Sequence, residues 1–271
     1  MVETKRGFPV NIVKRVLAAA LFHGIVSALP ASAAEELVTV PTRPGVTQSF
    51  YVTMPIGSPA ASLILFTGGD GKLRRYGPAN IRSGNFLVRS RDLFVAQGFA
   101  VAVIDAPSDE SSGMGDDFRV SNAHRRDIGF VIAWLRQRVP APVWLVGTSM
   151  GTLSAAYGAT LQPGGADGVV LTSSVTASSR RVGNTVYDAR PIDVKIPTLI
   201  VHNREDGCVV CPFTDIPDLL GRFKNAPRKQ LIAFQGGDPP ITDACEALSR
   251  HGYLGLETQV VAGIAEWIKA K

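Results

Sequence analysis

Gly147-Thr148-Ser149-Met150-Gly151 follows an apolar run at 143–146 and precedes a small-residue helical stretch at 152–159. Two glycines bracketing a serine let a backbone turn sharply from strand into helix without a Cβ clash. The serine hydroxyl then stands beside the first free N–H groups of the helix. The chemistry available to such a residue is nucleophilic attack on an electrophilic carbon.

A serine hydroxyl is a weak nucleophile and needs a general base, itself oriented by an acid. After the leader described below the chain has three histidines, His124, His202 and His251. His202 ends an apolar strand and reads as structural or site-lining. His124 lies upstream of the serine at a helix start, a capping or surface position. His251, in Ser249-Arg250-His251-Gly252-Tyr253, falls in a loop after the last strand and just before the last helix and is the candidate base. Asp206 follows the strand at 198–201 and is the acid candidate. Glu205 is its neighbour and rival, and the strand-end position favours Asp206.

The elements that must hold these residues alternate along the chain. Two initial antiparallel strands are expected at 37–40 and 48–54, connected through 41–45. A continuous apolar run at 62–66 has the pattern of a strand buried on both faces, and further strands are expected at 100–104, 143–146, 169–172, 198–201 and 230–234. Helical patterns occupy 85–97, 124–138, 152–159, 215–224 and 256–269. This order predicts an α/β fold with a mostly parallel central sheet and helices on both faces. The segment 177–193 is the only lid candidate, and it is short enough to leave the site open.

A basic head (Lys5, Arg6, Lys14, Arg15), an apolar run at 16–28 and small residues at 31–34 predict a secretory signal peptide over 1–33 and one domain over 34–271. The apolar run is too short to span a bilayer, so no stable membrane insertion is expected after cleavage. The expected location is exported, periplasmic or extracellular. Losing four bases and Glu3 with the leader takes the formal charge from +5 to +2. No basic stripe interleaves with aromatics, which argues against nucleic acid as a partner. The bases at 72, 74, 75, 82, 89 and 91 read as a solvated face. In an exported chain three cysteines permit one disulfide and one spare thiol. A zinc site built on Cys208, Cys211 and Cys245 is the less favoured use. Gly71-Lys72-Leu73 lacks the hydroxyl that a phosphate-binding loop requires.

Taken together these residues resemble the α/β-hydrolase superfamily, over essentially all of the chain after the leader. The order Ser149, Asp206, His251 is that superfamily's triad order. Residues 201–209 (VHNREDGCV) are similar to its V-H-G-x-x-D-x-x-V, with Asn203 in place of glycine, and His251-Gly252-Tyr253 resembles its H-G-F. The likeness is greatest to small secreted bacterial serine hydrolases with little or no lid. Dienelactone hydrolases share the compact architecture but carry cysteine where Ser149 stands.

The resemblance implies an esterase acting on a small-molecule ester, with no cofactor and no metal. It places the oxyanion hole at the N–H groups of Met150 and Gly69, in Phe66-Thr67-Gly68-Gly69-Asp70-Gly71. It also brings the loops of the acid and the base together, so a Cys208–Cys245 disulfide is expected, with Cys211 the alternative partner of Cys245. A peptidase or amidase would use the same triad, and a non-catalytic binding protein of this fold would usually have lost one of its members.

Overall fold

The computed structural model describes residues 1–2, 35–73 and 81–270. The expected leader, apart from its first two positions, lies outside these residues, as do Arg74 and Arg75. One compact unit, Ser32–Lys271, contains every element discussed here.

Eight strands form one sheet: β1 (Glu36–Arg43), β2 (Val46–Thr53), β3 (Ala61–Phe66), β4 (Phe99–Ile104), β5 (Val143–Thr148), β6 (Gly168–Thr172), β7 (Thr198–Asn203) and β8 (Lys229–Phe234). Their spatial order is β1-β2-β4-β3-β5-β6-β7-β8. β1 pairs antiparallel with β2, and β2 antiparallel with β4; every other pairing is parallel. β1 continues through Pro41, where a connection is expected from sequence. It is an edge strand with an irregularity between Pro41 and Arg43, a place where a missing N–H is tolerated.

Alternation along the strands divides the interior. Ile64, Phe66, Leu145 and Leu171 point to the face covered by α4 (Asn122–Arg138), α5 (Gly151–Gly158) and α6 (Ile216–Arg222). Leu63, Leu65, Val146 and Val170 point to the face covered by α1 (Phe86–Arg89), α2 (Arg91–Ala96) and α7 (Glu257–Lys269). The single helix expected at 85–97 is two, because Ser90 leaves helical geometry at φ −99°, ψ 2°. A short helix α3 (Asp116–Arg119) is an addition with no counterpart in the sequence reading.

Two arginines assigned to a solvated face are structural instead. Arg89 binds Glu257 and the carbonyls of Gly84, Ala247 and Gly252, and Arg91 binds Glu35.

The chain leaves β3 for β4 on one side and returns across β3 to β5 on the other. Loops at the carboxyl ends of strands on either side of such a reversal diverge and open a crevice. The loops after β3, β5 and β7 all end there, and the loop after β8 returns to it.

β5 and β6 put Trp144 opposite Gly168, and the indole packs edge-on against Trp267 at 5.6 Å. A Cβ on Gly168 would lie 2.3–2.5 Å from the indole ring. Gly168→Ala should therefore lower the unfolding free energy by about 1–3 kcal/mol through overpacking. The check is a lower urea midpoint at unchanged slope.

Candidate active site

Ser149 sits between β5 and α5 with φ +52°, a left-handed conformation rare for a residue with a Cβ. Its backbone is held on both sides. Ser149 N–H donates to Thr172 O (3.1 Å), while Thr152 donates both its N–H (2.8 Å) and its hydroxyl (2.6 Å) to Ser149 O. The flanking glycines are sterically required. A Cβ on Gly147 would lie 2.3 Å from Gly151 O, and one on Gly151 would lie 2.1 Å from Phe66 O. Met150 N–H, next in the chain, has no hydrogen-bond partner among the described residues.

The loop after β3 approaches Ser149 closely enough that a Cβ on Gly68 would meet Ser149 Cβ at 2.9 Å. Gly69 takes φ +59°. Within this loop Gly68 O accepts from Gly71 N–H (3.2 Å), Gly69 O from the Arg119 guanidinium (3.0 Å) and Asp70 O from Met114 N–H (2.8 Å). The N–H groups of Gly69 and Asp70 have no partner among the described residues. Successive carbonyls committed to the protein, with amides left over, make a nest for an anion.

Asp206 and His251 meet across the loops after β7 and β8. His251 Nδ1 lies 2.9 Å from Asp206 Oδ2, and His251 Nε2 is buried with no partner among the described residues. Cys208 N–H donates to Asp206 Oδ1 at 2.9 Å. His202, fully buried, places Nε2 at 3.0 Å from Cys211 O and 3.4 Å from Asp206 Oδ2. Burial pushes the Asp206 carboxyl up, but the contacts with His202, His251 and Cys208 N–H outweigh it and hold Asp206 below the usual carboxylate range. Glu205 turns elsewhere, to Arg250 and Gln235.

Sequence reasoning does not find the groups that fix the His251 loop. Ser173 donates its hydroxyl to His251 O (2.7 Å), and the buried Tyr253 hydroxyl accepts from Ser173 N–H and donates to Val201 O. Ser249 accepts from His251 N–H. The H-G-Y triplet is the one signal that could have pointed to Tyr253. His124 corrects its surface assignment. It is fully buried near the Phe66 and Phe118 rings, with its pKa pushed down to about 3 by burial and by the charges of Arg119 and Arg43.

Ser149, Met150, Gly69, Asp70 and His251 line one cleft of about 900 Å³. Phe86, Val210 and Leu248 give it apolar wall, and Lys72, Arg82 and Arg181 charged rim. From the lid candidate 177–193 only Arg181 and Val182 line the cleft, and the neighbouring N–H groups of Gly183 and Asn184 donate to Asp116 Oδ2. Sulfur atoms of Cys208 and Cys211 and a ring nitrogen of His251 lie within 4.8 Å of one another. Cys208 is bonded to Cys245, however, and a disulfide sulfur is no thiolate ligand. Cys211 is a buried free thiol whose pKa is raised well above normal by burial and by Asp206.

No protein-family model and no curated protein matches the chain. Solved structures do match. The Pyrococcus furiosus esterase Pf2001 aligns at TM-score 0.61 and 15% identity, over 87% of this chain and 91% of that one. A serine hydrolase without lid from Xanthomonas campestris aligns at 0.58 and 15%, over 88% and 97%. A dienelactone hydrolase from Anabaena variabilis aligns at 0.57 and 19%, over 86% and 95%. The fold is the α/β-hydrolase fold. In that fold's terms Ser149 occupies the turn after the fifth strand, with Asp206 and His251 following it in the chain.

The Cys208–Cys245 bond closes a separation of 37 residues and ties the loop of Asp206 to that of His251. Replacing both cysteines by alanine should reduce stability by about 3–4 kcal/mol in the chain-entropy account. Thermal unfolding should fall by roughly 10 °C. An unchanged midpoint would show that the loops are held without the bond.

Proposed function

We propose that this chain is an exported serine hydrolase that cleaves carboxylic esters through an acyl-enzyme. The reading rests chiefly on one observation: His251 is anchored through Nδ1 to the Asp206 carboxylate, while its unpartnered Nε2 belongs to the same cleft as Ser149. In the proposed reaction Ser149 Oγ attacks the acyl carbon as His251 Nε2 takes its proton, and the C–O bond to the alcohol breaks as that proton passes to the departing oxygen. Asp206 stabilises the imidazolium without accepting its proton. Met150 and Gly69 N–H groups stabilise the tetrahedral oxyanion. Water, deprotonated by His251, then adds to the acyl-enzyme and releases the acid and Ser149.

Ester rather than amide cleavage is favoured by the open cleft, to which the lid candidate contributes two residues, and agrees with the esterase names of several structural neighbours. Export is proposed from the leader at 1–33 and from a disulfide, a bond at home in oxidising compartments. Among the described residues no helix is long and apolar enough to cross a membrane.

A fluorophosphonate probe should label the protein at Ser149. Ser149→Ala should abolish labelling and lower turnover of p-nitrophenyl esters by about 10⁴-fold or more with the fold retained. Turnover within tenfold of the parent would remove Ser149 as nucleophile. A p-nitroanilide of the same acyl group, run beside the ester, should react far more slowly; equal rates would reassign the protein as an amidase.

Asp206→Asn should lower kcat by about 10⁴-fold, because the neutral amide favours the wrong imidazole tautomer. Glu205→Gln, which alters a carboxylate directed at Arg250, should leave kcat within twofold. The opposite ranking of the two variants would transfer the acid to Glu205.

A further inference from the structure

Arg119, the last residue of α3, is fully buried beneath the loop that follows β3. One of its terminal nitrogens donates to Gly69 O and the other to Ser154 Oγ, each at 3.0 Å, while Nε has no partner. No carboxylate lies within ion-pair distance of it among the described residues. Asp70 and Asp116 act on it only from further away. Burial, only partly offset by those two charges, pushes its pKa down to about 10, so the guanidinium stays protonated at neutral pH. A buried cation without a paired anion is expensive to keep, and this one lies behind the place where the proposed reaction develops negative charge.

Its contact with Gly69 O has a geometric consequence. A trans peptide is planar, so its C=O and N–H point in opposite directions. Drawing Gly69 O inward onto Arg119 therefore turns the Asp70 N–H of the same peptide outward. With the carbonyls of Gly68 and Asp70 also engaged, Arg119 supplies the only side-chain donor among the described residues to the three carbonyls of this loop. The remaining N–H groups, those of Gly69 and Asp70, belong to residues that line the cleft with Ser149. The close fit of Gly71, whose Cβ would lie 2.7 Å from the guanidinium, keeps the side chain in place.

We propose that Arg119 is a positioning residue for the oxyanion hole: its bond to Gly69 O turns the Asp70 N–H outward beside the Gly69 N–H, and its buried charge favours the oxyanion received there. The inference rests on the reading of Ser149 as nucleophile. It concerns a group that touches no substrate atom, so removing it should weaken binding of the tetrahedral state and leave ground-state binding alone.

The experiment compares the parent with Arg119→Met, Arg119→Lys and Ser149→Ala on one p-nitrophenyl ester. Folding is checked by circular dichroism, and the Ki of an alkylboronic acid, which forms a tetrahedral anionic adduct on serine, is measured for the parent and both Arg119 variants. Arg119→Met should lower kcat about 30- to 100-fold, leave KM within threefold and raise the boronate Ki by a similar factor to the kcat loss. Arg119→Lys keeps the charge but cannot span both acceptors, and should lose about tenfold in kcat with KM again unchanged. If Arg119→Met does not fold, Arg119→Lys decides by the same criteria. A kcat within twofold of the parent, or a loss carried by KM with boronate affinity intact, overturns the proposal. If Ser149→Ala is inactive while the Arg119 variants behave as the parent, only the role of Arg119 falls. Turnover retained by Ser149→Ala overturns the nucleophile and this inference together.

Discussion

The arrangement depends on two backbone turns, after β3 and after β5, touching with no side chains between them. Gly68 lies against Ser149, and Gly151 lies against Phe66 O and Thr67 O. This contact sets the distance between the serine hydroxyl and the amides after β3. Parallel pairing of β3 with β5 fixes it from below, since Phe66 is in register with Gly147. An added methyl at Gly68, Gly147 or Gly151 would meet neighbouring atoms at 2.1–2.9 Å, so these sites admit hydrogen alone. The sheet thus acts as a ruler, and the glycines let the loops close to its mark.

Charge is distributed with similar economy. Asp206 is buried yet ionised because two imidazoles and a backbone N–H converge on its two oxygens. His202 shares Oδ2 with His251 but is also held by Cys211 O; each imidazole keeps one unpartnered nitrogen, and only that of His251 belongs to a residue lining the cleft. Two histidines near one acid therefore take separate roles through the partners of their ring nitrogens.

The sheet was legible because buried parallel strands read as unbroken apolar runs, and the turns after them carry glycine. The order Ser149, Asp206, His251 was legible because each residue follows a strand-like run. What escaped the reading has a common cause. His124 and Arg119 are polar residues in a short stretch of loops and helix ends, and no periodicity marks a buried charge. Ser173 and Tyr253 act through atoms 78 and 52 residues away along the chain, on His251 O and Val201 O, a partnership that only the sheet creates. Arg89 and Arg91 looked solvated because local pattern cannot show a carbonyl brought in from residues 247 or 252. Asp206 was separable from Glu205 by position alone, and the physical distinction, a buried side chain against a salt bridge to Arg250, is tertiary.

The strain gathers around the proposed site. Among the described residues four non-glycine residues have positive φ, and three of them, Ser149, Ser173 and Tyr253, belong to the loops that hold the serine and the histidine. Conformations of this kind cost on the order of 1–3 kcal/mol each and persist only where surroundings over-determine them. Here the surroundings are identifiable: Thr172 O and Thr152 grip Ser149, and the Tyr253 hydroxyl ties Ser173 N–H to Val201 O. Each strained residue is gripped by the end of a strand or the start of a helix, the stiffest parts available. A loop with the same side chains but without those anchors would relax, and His251 Nε2 would lose the fixed position that the proposed proton transfer from Ser149 requires. The hydrogen bonds of these turns therefore do more for the direction of one imidazole than for the stability of the domain.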